Sequence, residues 1–190
     1  MGFDREMEGV DWEEVCERQV ARGGLADRYC ELLQVSAGDR VVELGCGPGY
    51  AAGELARRLS PGVVIAVDRR PGAVRYLREN LDRPNVWPVC GDVAAIPLRF
   101  GEPTAALAAF LLHHAEEPRQ LLTGVASALP AGSRLLVVEY HPDSPGEFGP
   151  PTEARLAPDR VEVMLSDAGF TGHDRFRLPE EKYGIVSRRV

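Results

Sequence analysis

The run Val63-Val64-Ile65-Ala66-Val67 carries no polar side chain. A strand of that kind must be covered on both faces, as happens where helices flank a parallel sheet. The surrounding chain repeats the same alternation. Arg40 to Leu44 is a short β-branched run bounded by glycines, and Ala51 to Leu59 follows as a helix with Leu55 and Leu59 on one face. Val74, Leu77 and Leu81 mark the next helix, and Val86 to Cys90 the next strand. Ala105 to Phe110 reads as a fourth strand, although its alanines also suit a helix. Pro118 fits the first turn of a helix whose inward face is Leu121, Leu122, Val125 and Leu129. Leu135 to Glu139 is a fifth strand. Strands separated by helices of this length pair in parallel through right-handed crossovers, which gives a doubly wound α/β sheet.

The two ends of the chain depart from that rhythm. Trp12, Val15, Cys16 and Val20 recur at helical spacing, Gly23-Gly24 punctuates the run, and Leu25, Tyr29, Leu32 and Leu33 continue it. Residues 1–35 therefore read as two N-terminal helices ahead of an α/β core spanning 40–190, the whole chain 1–190 forming one domain; whether the segment closes as a lid is left open by the sequence. Residues 142–157 are rich in proline, glycine and acids and read as a loop. Val161, Met164, Leu165 and Ala168 make one more helix, stopped by Gly169. Phe170 to Leu178 and Tyr183 to Val190 are then two extended runs joined by the turn-like Pro179-Glu180-Glu181-Lys182. No crossover fits in that gap, so the two must pair as an antiparallel hairpin.

Composition narrows the function. The net charge is −7, the wrong sign for a chain that neutralises phosphates, so no nucleic-acid partner is expected. The longest apolar stretch, Ala105 to Leu112, is much too short to span a bilayer. Met1 to Glu6 lacks the basic and apolar stretches of a signal peptide. Cys16, Cys30, Cys46 and Cys90 form no Cys-x-x-Cys pair, which argues for buried thiols in a reducing compartment and for no metal. A cytoplasmic protein without a membrane partner is the expectation.

The densest chemical signal is Val41-Val42-Glu43-Leu44-Gly45-Cys46-Gly47-Pro48-Gly49. Gly45 permits a tight turn, and Gly47 and Gly49 let backbone approach a ligand at a helix N-terminus. Dinucleotide enzymes use a related turn, but their spacing is Gly-x-Gly-x-x-Gly. Glu43 also precedes the glycines. A carboxylate there repels a pyrophosphate and suits a ligand bearing an ammonium or sulfonium group. Asp68, at the tip of the second strand, is placed to accept both hydroxyl protons of a ribose; alone it reads first as a solvated strand end, and its coupling to the glycine loop 19 positions earlier favours the ribose. Gly91-Asp92-Val93 follows the third strand. Its acid and the next backbone N–H can meet an adenine amino group and ring nitrogen, or simply cap a turn.

Taken together, VVELGCGPGY, AVDRR, GDVAAIPL, FLLHHAEEP and LPAGSRLLVVEY resemble the class I S-adenosylmethionine-dependent methyltransferases, most closely the small-molecule group that includes the quinone-biosynthesis enzymes. The resemblance runs from about Arg40 to the C-terminus. It implies a Rossmann-like, seven-stranded sheet that is mostly parallel and ends in an antiparallel hairpin. It further implies that Glu43, Gly45 and Gly47 cradle the methionine part of S-adenosylmethionine and that Asp68 holds the ribose. Arg69 would lie along the adenine face, with Asp92 and the Val93 N–H at the adenine edge. The product would be S-adenosylhomocysteine. Family members usually carry an acid near the start of the fourth strand and a polar residue near its end, where this chain has Thr104 and Ala108.

Methyl transfer from a sulfonium is an in-line displacement that depends on alignment, and a general base is needed only where the acceptor loses a proton. His113 and His114 follow the fourth strand, at the sheet edge where ligands bind, and are the candidate catalytic residues. Tyr140 and His141 stand second and read as surface loop residues; Trp12 reads as core packing. Neither an Asn/Asp-Pro-Pro-Tyr/Phe signature nor a cysteine follows the fourth strand, so a small organic acceptor fits best. The alternatives are a non-catalytic S-adenosylmethionine-binding module and a nicotinamide-dependent oxidoreductase. A monomer or homodimer is expected.

Overall fold

The computed structural model describes residues 9–21, 25–96, 103–147 and 149–190. Met1 to Glu6, Gly23-Gly24 and the Pro97-Leu98 end of the third motif lie outside the described residues. Two helices lead, α1 (Trp12–Ala21) and α2 (Leu25–Leu33). The core then alternates β1 (Arg40–Leu44), α3 (Tyr50–Leu59), β2 (Val63–Asp68), α4 (Pro71–Asn80) and β3 (Val86–Cys90). It continues with β4 (Ala105–Ala109), α5 (Pro118–Ala128), β5 (Arg134–Tyr140), α6 (Pro158–Asp167), β6 (Phe170–Leu178) and β7 (Lys182–Arg189). One 3₁₀ turn, Leu112–His114, follows β4.

The seven strands form one sheet in the order β3-β2-β1-β4-β5-β7-β6. Among the described strands only β7 runs against its neighbours, inserted antiparallel between β5 and β6. The sheet expected from the sequence is therefore the one present. The hairpin loop is one residue tighter than expected, because Lys182 already pairs with both Tyr140 and Leu178. Glu180 and Glu181 accommodate it with left-handed φ values of 52° and 63°.

Strand alternation sends side chains to two apolar layers. Val42, Leu44, Ile65, Val67, Leu135 and Val137 face α5 and α6, where they meet Leu122, Val125, Val161 and Leu165. Val41, Val64, Leu107, Leu136 and Val138 face the other side and meet Leu33, Leu55, Leu59 and Leu77. β4, whose alanines left its type open, is a central strand between β1 and β5. Its small side chains leave room for the bulkier layers on either side.

Helix α1 belongs to neither apolar layer. The Asp11 carboxylate caps it, accepting from the Glu13 and Glu14 N–H groups at 3.0 and 3.2 Å. Val20 is left exposed, while Trp12 and Val15 turn toward a cleft at the carboxyl edge of the sheet. Trp12 thus departs from the core packing expected of it. Its ring sits 5.4 Å from the Arg70 guanidinium and close against Gly72 at the start of α4.

Candidate active site

The cleft is built where β1, β2, β4 and β5 end. After Leu44 the chain stays hydrogen-bonded to β2, with the Gly45 and Cys46 N–H groups donating to the Val67 carbonyl at 2.8 and 2.9 Å. It then turns into α3 through Gly49, whose φ of 89° no β-branched residue adopts readily. A Cβ at Gly49 would stand 2.5 Å from Leu77 of α4, so glycine is required here by both backbone and packing.

Asp68 fastens this loop. One carboxylate oxygen accepts from Gly47 N–H at 2.9 Å and the other from Arg70 N–H at 2.9 Å. Glu43 lies beside it, 5% exposed, on the α3 face of the sheet. Its Oε2 is buried and has no hydrogen-bond partner among the described residues. Burial, reinforced by the neighbouring Asp68 charge and opposed by the Ala52 backbone N–H, pushes the Glu43 carboxyl up to about 8. The free cleft therefore holds an acid that a bound cation would ionise.

Two adjoining cavities open from this point. The first, about 440 Å³, is lined by Glu43, Gly45, Gly47 and Asp68 together with Trp12, Tyr29, His113, Tyr140 and Lys182. The second, about 330 Å³, is lined by Gly45, Asp68, Arg69, Asp92 and Val93. They share Gly45, Asp68, Arg70, Phe110 and His114. All nine candidate residues of the sequence reading thus come together, the glycine-loop group in one cavity and the Asp92 group in the other. Asp92 accepts from the Ala94 N–H at 2.9 Å, so it also caps its turn.

The two histidines differ. His113 lines the first cavity with its side chain 6% exposed, and its Nδ1 lies 2.6 Å from Glu139 Oε2. Glu139 is 1% exposed and its other oxygen accepts from the Leu112 and His113 N–H groups at 2.8 and 3.4 Å. His114 sits at the junction of the cavities, its ring centroid 4.1 Å from that of His113. Partial burial, then His113, Arg70 and Arg69, lower its pKa to about 4.

Several site residues escaped the sequence reading. Glu139 and Lys182 carried no local signal. Lys182 is buried against the cavity, donating to Glu180 Oε2 at 2.5 Å. Tyr140 was read as a surface residue, yet it is 2% exposed: Phe110 lies 5.0 Å from its ring, and Gly149 of the 142–157 loop packs directly on its face. Its neighbour His141 does remain at the surface, set edge-on to Tyr183. Phe110 holds a left-handed φ of 56° at the end of β4, the kind of local strain that collects at functional sites.

Comparison with known proteins agrees with this geometry. A family model described as a methyltransferase domain matches residues 41–132. A 37.1 kDa protein in transposon TN4556 of Streptomyces fradiae is 34% identical over 162 residues, covering 84% of this chain and 43% of that protein. The erythromycin 3''-O-methyltransferase of Saccharopolyspora erythraea is 30% identical over 159 residues, covering 78% and 50%. The chain thus spans half or less of the length of these curated relatives. A SAM-dependent methyltransferase from Aquifex aeolicus superposes with a TM-score of 0.83 at 20% identity, over 95% of this chain and all of that one. Strand order, loop chemistry and the family match agree, and together they support a class I S-adenosylmethionine-dependent methyltransferase.

Proposed function

We propose that the chain transfers a methyl group from S-adenosylmethionine to a small organic acceptor held in the first cavity. The observation that carries this reading is the buried, partnerless Oε2 of Glu43 beside the glycine loop. An orphaned carboxylate oxygen in a cleft needs a donor, and a ligand ammonium supplies both hydrogen bond and charge. Gly45 and Gly47 keep side chains away from that ligand. Each Asp68 oxygen accepts one backbone N–H and retains a lone pair for a ribose hydroxyl. Arg69, Asp92 and Val93 would take the adenine in the second cavity. Bound there, the cofactor supplies an electrophilic methyl group; the chain's residues align the acceptor with it and keep water away.

Trp12, Tyr29, Phe110 and Tyr140 in the lining of the first cavity suit a compact, partly aromatic or apolar molecule. His113 would face the acceptor. A relative named for erythromycin supports a small acceptor. Glu43 counts against a nicotinamide dinucleotide: held neutral in the free cleft it offers a pyrophosphate no positive charge, and its ionised form would repel one.

Calorimetric titration with S-adenosylmethionine, S-adenosylhomocysteine and reduced nicotinamide dinucleotide, run in parallel, tests the reading. Saturable one-site binding of the first two alone is expected. Binding of the nicotinamide compound instead, or of none by a folded sample, overturns it. Transfer to no acceptor by a protein that binds the cofactor would leave a non-catalytic binding module.

A further inference from the structure

We infer that Glu139 is a positioning residue that makes His113 a general base, and that the acceptor atom is therefore a hydroxyl oxygen. The inference rests on the methyl-transfer reading above and adds to it the class of acceptor. It starts from an expensive arrangement. Glu139 is a carboxylate at the end of a central strand, 1% exposed, on the face of the sheet that carries Leu135 and Val137. Burying a carboxylate costs several kcal/mol unless its lone pairs are engaged. Among the described residues its carboxylate makes three hydrogen bonds, all to Leu112 and His113. Capping the 3₁₀ turn takes only Oε1. Oε2 is left for the imidazole, at 2.6 Å, a charge-assisted distance.

That contact fixes the ring chemistry. A carboxylate can only accept, so Nδ1 must carry a proton, and in the neutral ring Nε2 is then left bare. The ring lines the acceptor cavity, where a bare Nε2 can take a proton. The imidazolium that results is held by the Glu139 charge, as in other acid–histidine pairs. His114 is not equivalent: with its pKa lowered to about 4 its ring stays uncharged at neutral pH, 4.1 Å from that of His113.

A base of imidazole strength selects the acceptor. An amine attacks through its own lone pair, a carboxylate has no proton to lose, and a thiol ionises by itself near neutrality. An alcohol or phenol holds its proton and gains from removal in the transition state. As the hydroxyl oxygen forms its bond to the methyl carbon, the carbon–sulfur pair leaves with sulfur. The hydroxyl proton passes to His113 Nε2 and afterwards to solvent.

The test reads histidine nitrogens by NMR in isotope-labelled protein saturated with S-adenosylhomocysteine, with His113→Gln identifying the resonance. The expected result is His113 as the Nδ1–H tautomer, with Glu139→Gln populating both tautomers. Alongside, radiolabelled methyl transfer is assayed on a panel of phenols and alcohols beside matched amines and thiols. Transfer to hydroxyl compounds is expected, falling by about 10²–10⁴-fold in His113→Gln and by tenfold or more in Glu139→Gln, with S-adenosylhomocysteine affinity retained. An Nε2–H tautomer in the parent protein overturns the proposal. So does transfer confined to amines or thiols, or transfer to hydroxyls that survives His113→Gln. Failure of S-adenosylhomocysteine to bind a folded sample strikes the underlying cofactor reading instead, and is seen before any tautomer is measured.

Discussion

The two ends of the cleft are built on different plans. The proposed cofactor end is local: Glu43 to Gly49 is one continuous turn, fastened by Asp68 from the adjacent strand. The proposed acceptor end draws on Trp12, Tyr29, His113, Tyr140 and Lys182, which come from α1, α2, the turn after β4, β5 and β7. Backbone groups and short acids dominate the first; side chains on separate elements dominate the second. A scaffold of this sort keeps one reagent constant while the other is set by replaceable parts.

If the division is real, substitutions at one end should leave the other end's ligand largely untouched. The largest effect is expected for Asp68→Ala, which removes the ribose acceptor and the anchor of Gly47 and Arg70 together. Affinity for S-adenosylhomocysteine should fall about 100-fold by calorimetry, with the far-ultraviolet circular dichroism spectrum unchanged. An unchanged affinity would mean that the ribose lies elsewhere.

Gly49→Ala comes next and acts on the fold. A φ of 89° and a contact of 2.5 Å to Leu77 should cost about 1–3 kcal/mol in a denaturant melt. A melt identical to the parent's would show that the loop relaxes freely.

Glu43→Gln sharpens the comparison through pH. The free carboxyl, pushed up to about 8, is protonated at neutral pH, and a cationic ligand favours its ionised form. Binding should then release a proton, and affinity should weaken by up to tenfold per unit as pH falls below 8. The same raised pKa means that the folded protein binds more protons than the unfolded chain between about 4.5 and 8. Stability of the free protein is thus expected to decline as pH rises through that window. Glu43→Gln should flatten both profiles, and calorimetry in two buffers of different ionisation enthalpy checks the proton directly.

The smallest effect is expected for Trp12→Ala at the cavity mouth: a few-fold rise in acceptor KM, with S-adenosylhomocysteine affinity shifted less than threefold. A large loss of cofactor affinity would put Trp12 over the wrong cavity.

The same contrast explains what could be read in advance. Val63 to Val67 announced a doubly covered strand by its own composition, and the glycine loop announced its ligand by an acid and a spacing. The terminal hairpin was forced by a gap too short for a crossover. Those signals are local, and each survives translation into three dimensions. Glu139 needed two facts that no local pattern contains: the face on which β5 presents it, and a turn 26 residues upstream that brings His113 to it. Tyr140 looked like a loop residue because β5 seemed to end at Glu139. Pairing with Lys182 extends the strand, and Gly149 closes over the ring. Trp12 had the spacing of a core helix, but spacing shows that a face is apolar without showing what it faces.

The most direct test is a crystal structure of the protein with S-adenosylhomocysteine. The account predicts the ligand ammonium on Glu43 Oε2, the ribose hydroxyls on Asp68 and the adenine between Arg69 and Asp92, with the sulfur turned toward His113. An adenine in the first cavity, or an ammonium away from Glu43, would contradict it.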